Sequence, residues 1–113
     1  MSSDFIIRTT VFFDKSVKKL FKKFPSLIKD LHLLKIQLLK DPTAGVSLGK
    51  DCYKIRMAIS SKNSGKSSGA RVITYVKIEN KLIILLDLFD KADKDSITEK
   101  ELSALIKKQG KHV

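Results

Sequence analysis

The sequence predicts an α+β domain in which a helical hairpin packs on one face of a mostly antiparallel four-stranded sheet, in the order β-α-α-β-β-β-α. Two consecutive segments, 14–24 and 26–40, have apolar residues at helical spacing. Other segments alternate, or form short apolar runs bounded by turn residues, as strands do. With 113 residues and 42% hydrophobic content the chain can bury a core, so we expect a single domain spanning residues 1–113.

The first half of the chain supplies one strand and both helices of the hairpin. A strand is predicted over Phe5–Phe13, because FIIRTTVFF is rich in β-branched and aromatic residues. A basic amphipathic helix is predicted over 14–24, and Pro25 suits the first turn of a second helix. The segment 41–51, DPTAGVSLGKD, contains one proline and two glycines and is predicted to be a loop.

The second half predicts three strands and a short helix. The strands are expected over Tyr53–Ile59, Arg71–Ile78 and Leu82–Phe89, and the last is apolar on both faces, as a central strand would be. Thr98 and Glu101 have the spacing of a capping box at the start of the final helix. We expect the hairpin to cover one face of the sheet and the other face to be open.

Charge is the strongest compositional signal. The chain has 23 Lys and Arg against 12 Asp and Glu, a formal net charge of +11. A surplus of this size indicates a polyanionic partner such as nucleic acid, or an anionic membrane surface. The alternative is a solvated surface that is simply rich in lysine.

Several features favour a cytoplasmic protein. The longest apolar run, Leu82–Leu86, is far too short to span a bilayer, and no charged and then apolar leader begins the sequence. Cys52 is the single cysteine, so an intramolecular disulfide is impossible and a reducing compartment is suitable. We therefore expect a cytoplasmic location.

Cations lie inside the predicted strands, where an ordinary sheet would have Val or Thr. Because strand side chains alternate, Lys54 and Arg56 should point away from the helices, and antiparallel pairing could bring Arg71 beside them. Like charges on neighbouring strands are unfavourable unless an anion binds between them. Phosphate is the natural candidate, since arginine binds it bidentately and lysine as a point charge. The alternative is the solvated polar face of a one-sided sheet.

Further lysines extend this predicted phosphate-binding surface. Lys62 and Lys66 lie in the loop between two of the predicted strands, and Lys77 shares a strand face with Arg71. Lys94 follows the last strand. These four lysines are the candidate nucleic-acid-binding residues.

Three segments together resemble the RelE/ParE superfamily of bacterial toxins, and most closely its HigB-like RelE branch. They are DCYKIRMA, GARVITYV and LIILLDLFDKADK, and the resemblance covers most of the chain. It implies the toxin of a type II toxin–antitoxin system, neutralised by a cognate antitoxin. Such toxins enter the ribosomal A site and cut mRNA without a metal, as the 2′-hydroxyl attacks its adjacent phosphate and leaves a cyclic phosphate.

The resemblance also implies the site residues. Lys54 and Arg56 match basic positions of the family's second strand, Arg71 matches the arginine that opens its third strand, and Lys91 matches a basic residue after the last strand. Like charge destabilises the ammonium form of a crowded lysine, so Lys54 is the candidate general base. The two arginines are candidates to stabilise the charge on the phosphorane. Lys91 or the neighbouring Lys94 could protonate the leaving 5′-oxygen.

One position departs from the family. Many members have a C-terminal tyrosine where this chain has Ile97, so the sequence does not assign the general acid. No metal or other cofactor is predicted, because His32, His112 and Cys52 are too far apart in sequence to suggest a zinc site.

Two other functions remain open at this point. A ParE-like toxin would inhibit DNA gyrase and would not be a nuclease, and the basic residues on the strands argue against it. The other function is a nucleic-acid-binding module without catalysis, which the missing tyrosine allows.

Overall fold

The computed structural model describes residues 4–62, 65 and 68–109. In this part of the chain five strands form one sheet, in the order β1-β5-β4-β3-β2, and three α-helices pack against it. The strands β1 and β5 are parallel, and the other neighbours are antiparallel. The elements, in chain order, are β1 (Ile6–Thr9), α1 (Val11–Phe21), α2 (Leu27–Lys40), β2 (Val46–Gly49), β3 (Cys52–Met57), β4 (Ala70–Lys77), β5 (Leu82–Asp90) and α3 (Glu99–Gln109). The predicted α+β class is confirmed, with one strand more than expected.

The additional strand is β2, which lies inside the segment predicted to be a loop. Ser47 pairs with Tyr53, and Val46 pairs with Lys54. The chain reverses tightly between the two strands through Lys50 and Asp51, which have φ values of 55° and 63°. Four residues next to a turn are too few to show an alternating pattern. The strand forms because the edge of β3 offers backbone groups that need hydrogen-bond partners.

The boundary between β1 and α1 also differs from the prediction. The strand ends at Thr9 rather than Phe13, and Thr10 begins the helix as its N-cap. The Thr10 Oγ1 accepts a hydrogen bond from the Phe13 N–H at 2.9 Å. Phe13 is therefore a buried helical residue of the core. β-Branched and aromatic content alone could not separate the two elements, whereas the threonine cap marks the helix start.

The sheet separates two apolar clusters. Ile55 and Met57 face the helical hairpin and pack with Leu31, Leu34 and Leu38, among others, so the inward face predicted for β3 is confirmed. The opposite face is not open as predicted. There Ile73 and Leu86 pack with residues of α3, including Leu102 and Leu105. This cover is needed because β5 is apolar on both faces, and its exposed side would otherwise remain in water.

An irregularity in β5 lies next to Asp87, one of the two buried acidic residues of that strand. Ile73 pairs with Asp87 and Thr74 pairs with Leu85, which leaves Leu86 without an opposite residue. The Asp87 Oδ1 accepts hydrogen bonds from the Leu88 N–H at 2.7 Å and from the Ser16 hydroxyl at 3.4 Å. Burial raises the pKa of this carboxyl, and the Leu88 N–H, Lys94 and Ser16 partly oppose that shift. The contact with Ser16 joins α1 to the sheet.

Candidate phosphate-binding site

The backbone of β3 and β4 brings the predicted strand cations together. Arg56 lies directly opposite Arg71, and Lys54 lies opposite Ile73. Lys54 and Arg71 are therefore diagonal neighbours on adjacent strands, a spacing of about 7–8 Å between Cα atoms. The adjacency that antiparallel pairing predicted is present.

Arg71 is not on an open surface, contrary to the expectation for that face. Its side chain is 2% exposed, and its Nε donates a hydrogen bond to the Asp95 Oδ1 at 2.8 Å. Its Nη1 also donates to the carbonyl oxygen of Ala70 at 3.2 Å. The connection between β5 and α3, which contains Asp95, covers this arginine. The sheet face is therefore closed over the residue that sequence analysis assigned to phosphate.

Asp95 is the centre of the cationic cluster. The Lys54 Nζ donates a hydrogen bond to the main-chain oxygen of Asp95 at 3.1 Å. The hydrogen bond from Arg71 holds the pKa of the Asp95 carboxyl below its usual range, although burial opposes the shift, and the charges of Arg71, Lys54 and Lys91 lower it further. Of the four candidate catalytic cations, Arg71 thus contacts the Asp95 carboxylate, Lys54 contacts its main-chain oxygen, and the charge of Lys91 acts on it. We call Lys54, Arg71, Lys91 and Asp95 the Asp95 cluster.

The sequence contained only an indirect signal for Asp95. Cations in register on neighbouring strands need a counterion, but 12 acidic residues were available. The segment DKADKDS alone has three of them, and spacing does not show which one folds back over the sheet.

Arg56, the fourth candidate catalytic residue, lies beside the cluster. It is exposed, and it lines a pocket of about 180 Å³ together with Leu33 and Gln37 of α2. It is therefore accessible to an RNA strand in a way that Arg71 is not. Lys91 is half-buried at the end of β5, where its N–H donates to the Gly69 carbonyl oxygen at 3.0 Å.

Lys62, a candidate RNA-binding residue, forms a largely buried ion pair. Its Nζ contacts the Asp90 Oδ1, and the two side chains are only 16% and 6% exposed. The same ammonium donates to the Ser68 carbonyl oxygen at 2.8 Å and lies 5.3 Å from the centre of the Phe24 ring. Burial raises the pKa of Asp90, but hydrogen bonds from Lys62 and the Ala92 N–H outweigh it, and the pKa is lowered. Any effect of Lys62 on RNA would therefore act through the structure of its loop.

The other candidate RNA-binding lysines are dispersed. The Lys94 Nζ lies 3.2 Å from the Glu101 Oε2 and 4.8 Å from the centre of the Phe89 ring. Lys77 ends β4, six residues from Arg71, which places it about 20 Å away along the strand. Lys66 lies outside the described residues.

The predicted capping box begins α3 and holds one end of the segment that contains Asp95. The Thr98 N–H donates to the Glu101 Oε1 at 2.8 Å, and the Glu101 N–H donates to the Thr98 Oγ1 at 3.1 Å. At the other end, the Asp90 Oδ1 accepts a hydrogen bond from the Ala92 N–H at 3.0 Å. Ile97 packs against the apolar cluster on the α3 side of the sheet. The segment is thus fixed at both ends, close to the cations.

Cys52 is not built as a nucleophile. It is fully buried, and this burial is the main cause that raises its pKa to about 11. The charge of Asp51 raises the pKa further, and the charge of Lys50 opposes the shift.

We expect the Cys52 thiol of the native protein at pH 8 to react with iodoacetamide far more slowly than the same thiol in 8 M urea. Mass spectrometry after timed quenching measures both rates. Equal rates in the two states would show that the thiol is accessible.

No metal centre or membrane span is visible in the described ranges. Within residues 4–62, 65 and 68–109, no group of three or more His, Cys, Asp and Glu side chains is arranged to hold an ion. In the same ranges no helix is long and apolar enough to cross a bilayer.

Comparison with known proteins decides the family. The family model described as the RelE toxin of the RelE/RelB toxin–antitoxin system matches residues 9–113. The chain belongs to the RelE toxin family. The resemblance found in the sequence is therefore confirmed at the level of RelE, while the HigB-like branch stays a prediction.

Solved RelE structures have the same fold. A double arginine-to-alanine mutant of the E. coli toxin RelE in the free state is 20% identical, with a TM-score of 0.52, and the match covers 100% of this chain and 99% of that chain. The isolated E. coli RelE toxin is 17% identical, with a TM-score of 0.54 and coverage of 91% and 97%. No curated protein matches the sequence.

Proposed function

We propose that this RelE-family chain is a ribosome-dependent, metal-independent mRNA endonuclease that inhibits translation and is neutralised by a cognate antitoxin. Its site of action would be the ribosomal A site, and its location the cytoplasm. Membership of the toxin family supports the antitoxin partner. The observation that most strongly supports RNA cleavage is the placement of Lys54 and Arg71 as diagonal neighbours on two paired strands.

The strand geometry suits a phosphodiester. Side chains on paired strands of a sheet are held more rigidly than side chains on loops, so their charged ends keep a fixed separation. A diagonal spacing of about 7–8 Å lets two long cationic side chains converge on one phosphate group. Arginine offers parallel N–H donors to two phosphate oxygens, and lysine offers a point charge.

In the proposed reaction, the 2′-hydroxyl of one nucleotide attacks its own 3′-phosphate. Lys54 acts as the general base and accepts the hydroxyl proton while the O2′–P bond forms. Arg71 and Arg56 stabilise the negative charge that develops on the non-bridging oxygens. The P–O5′ bond then breaks, and Lys91 or Lys94 donates a proton to the leaving oxygen. The products are a 2′,3′-cyclic phosphate and a free 5′-hydroxyl.

Primer extension on a reporter mRNA in a bacterial translation extract tests this proposal. We expect new 5′ ends within the translated frame when the purified protein is added. We expect none with the Lys54→Ala/Arg71→Ala double variant, and none on naked mRNA incubated with EDTA. An intact transcript during active translation would overturn the proposal. A gyrase supercoiling assay and an RNA-binding assay would then separate the ParE-like function from the non-catalytic one.

A further inference from the structure

The proposed phosphate site is occupied by a residue of the chain itself. Arg71 is buried, and the segment that contains Asp95 covers it. Asp95 accepts a hydrogen bond from Arg71 through its carboxylate and one from Lys54 through its main-chain oxygen. One residue therefore contacts two of the groups that the proposed reaction needs. An RNA phosphate that binds the Arg71 Nε must therefore replace the Asp95 carboxylate there.

The two partners of this ion pair differ in how easily they can lose it. The side chain of Asp95 is 54% exposed, whereas that of Arg71 is 2% exposed. A carboxylate at the surface is hydrated by water as soon as it leaves, so its departure costs little. A buried guanidinium without a counterion is strongly unfavourable. Replacement of Asp95 by another anion is therefore more favourable for Arg71 than loss of Asp95 without a replacement.

The segment that contains Asp95 is anchored at both ends, so the exchange of anions requires only a local movement between the anchors. Asp90 holds the start of the segment through the Ala92 N–H, and the Thr98–Glu101 capping box holds its end. Asp95 lies between these anchors on irregular backbone. A local displacement of the central residues would expose Arg71 without unfolding α3.

We infer that Asp95 competes with the RNA phosphate for Arg71 and Lys54, so that its carboxylate occupies the site until a phosphodiester displaces it. This inference rests on the proposed function. The apparent affinity for RNA is then the intrinsic affinity reduced by the fraction of molecules in which Asp95 is displaced. The lowered pKa of Asp95 supports the inference, because its largest cause is the hydrogen bond from Arg71, the contact that an RNA phosphate would replace.

The variant Asp95→Asn tests this competition, because it removes the charge and retains the size of the side chain. Asp93→Asn is the matched control. Asp93 is exposed in the same segment, and within the described residues its carboxylate makes no ion pair. Both variants have the same net charge, so a general gain in attraction to RNA affects them equally.

Affinity is measured by fluorescence anisotropy with a short 2′-O-methyl RNA, which has no free 2′-hydroxyl and cannot be cleaved. We expect Asp95→Asn to bind at least about fivefold more tightly than Asp93→Asn, the gain that follows if Asp95 is displaced in about one fifth of the molecules or fewer. Equal affinities, or weaker binding by Asp95→Asn, would overturn the inference and make Asp95 a residue that only positions Arg71. Because the probe is inert, this result does not depend on whether the protein cleaves mRNA.

A second measurement shows whether a difference in RNA affinity comes from anion competition rather than from a change in folding. If Arg71 needs an anion, the melting temperature of Asp95→Asn should rise more steeply with added inorganic phosphate than that of Asp93→Asn. Parallel slopes for the two variants would contradict the competition. The nuclease proposal fails separately, through an intact transcript in the translation extract.

Discussion

Replacing Arg71 with alanine is expected to lower the rate of ribosome-dependent mRNA cleavage by about 10²–10³-fold, the loss typical of removing one group that stabilises transition-state charge. Among the described residues assigned a role in the proposed reaction, Arg71 is the one buried cation, so its charge is the least screened by water. The rate is measured by primer extension over a time course in the translation extract.

Two variants make this result specific. Arg8→Ala removes an exposed arginine from β1 and is expected to retain cleavage, because only its contribution to net charge is lost. Arg71→Lys keeps the charge but loses the planar donors, so its activity should fall between those of wild type and Arg71→Ala. Circular dichroism melting confirms that each variant is folded. Wild-type cleavage by a folded Arg71→Ala protein would remove Arg71 from the mechanism.

Replacing Lys62 with methionine is expected to lower the free energy of unfolding by about 3–5 kcal/mol, the cost of leaving one charge of a buried pair without its partner. Asp90 would lose the ammonium that compensates its buried carboxylate, with only 6% of that side chain exposed. Methionine keeps most of the packing against Phe24. Urea denaturation followed by circular dichroism measures the change.

An exposed ion pair provides the control for that measurement. Lys81 and Asp4 lie 3.0 Å apart, but their side chains are 56% and 74% exposed. Lys81→Met should therefore change the free energy of unfolding by less than about 1 kcal/mol. The Lys62→Met/Asp90→Asn double variant should recover part of the loss, because no buried charge is left alone. A loss for Lys62→Met as small as that for Lys81→Met would contradict the buried pair.

Acid should weaken the same pair. The folded pKa of Asp90 lies below its ordinary value, so its stabilising effect is complete above the unfolded pKa of about 3.9 and is lost as the pH falls through the lower folded pKa. Wild type should therefore lose this part of its stability below about pH 4. In the double variant that lacks both charges, this contribution to the acid loss should be absent.

Secondary structure was predictable wherever a single element had a distinct pattern. The alternation of β3, the apolar run of β5 and the capping box of α3 all depend on residues near each other in sequence, and each is confirmed. One error, the boundary between β1 and α1, is local, because composition outweighed the Thr10 cap. The other errors fall where a partner decides the structure. The strand β2 exists because β3 pairs with it, and the sheet face opposite the hairpin is covered because α3 packs there.

Part of the candidate site was likewise predictable from the sequence, and part was determined only by the tertiary structure. Residue types and strand alternation determined that Lys54 lies on the face away from the hairpin, and register then placed Arg71 beside it. Arg56 pairs with Arg71 in the sheet, but it also lines a pocket against α2, which alternation did not predict. Only the tertiary structure decided which acidic residue neutralises which cation. Lys62 pairs with Asp90, 28 residues away, and Arg71 pairs with Asp95, 24 residues away. Local sequence cannot determine such pairs, because a carboxylate's partner depends on where distant backbone segments pack.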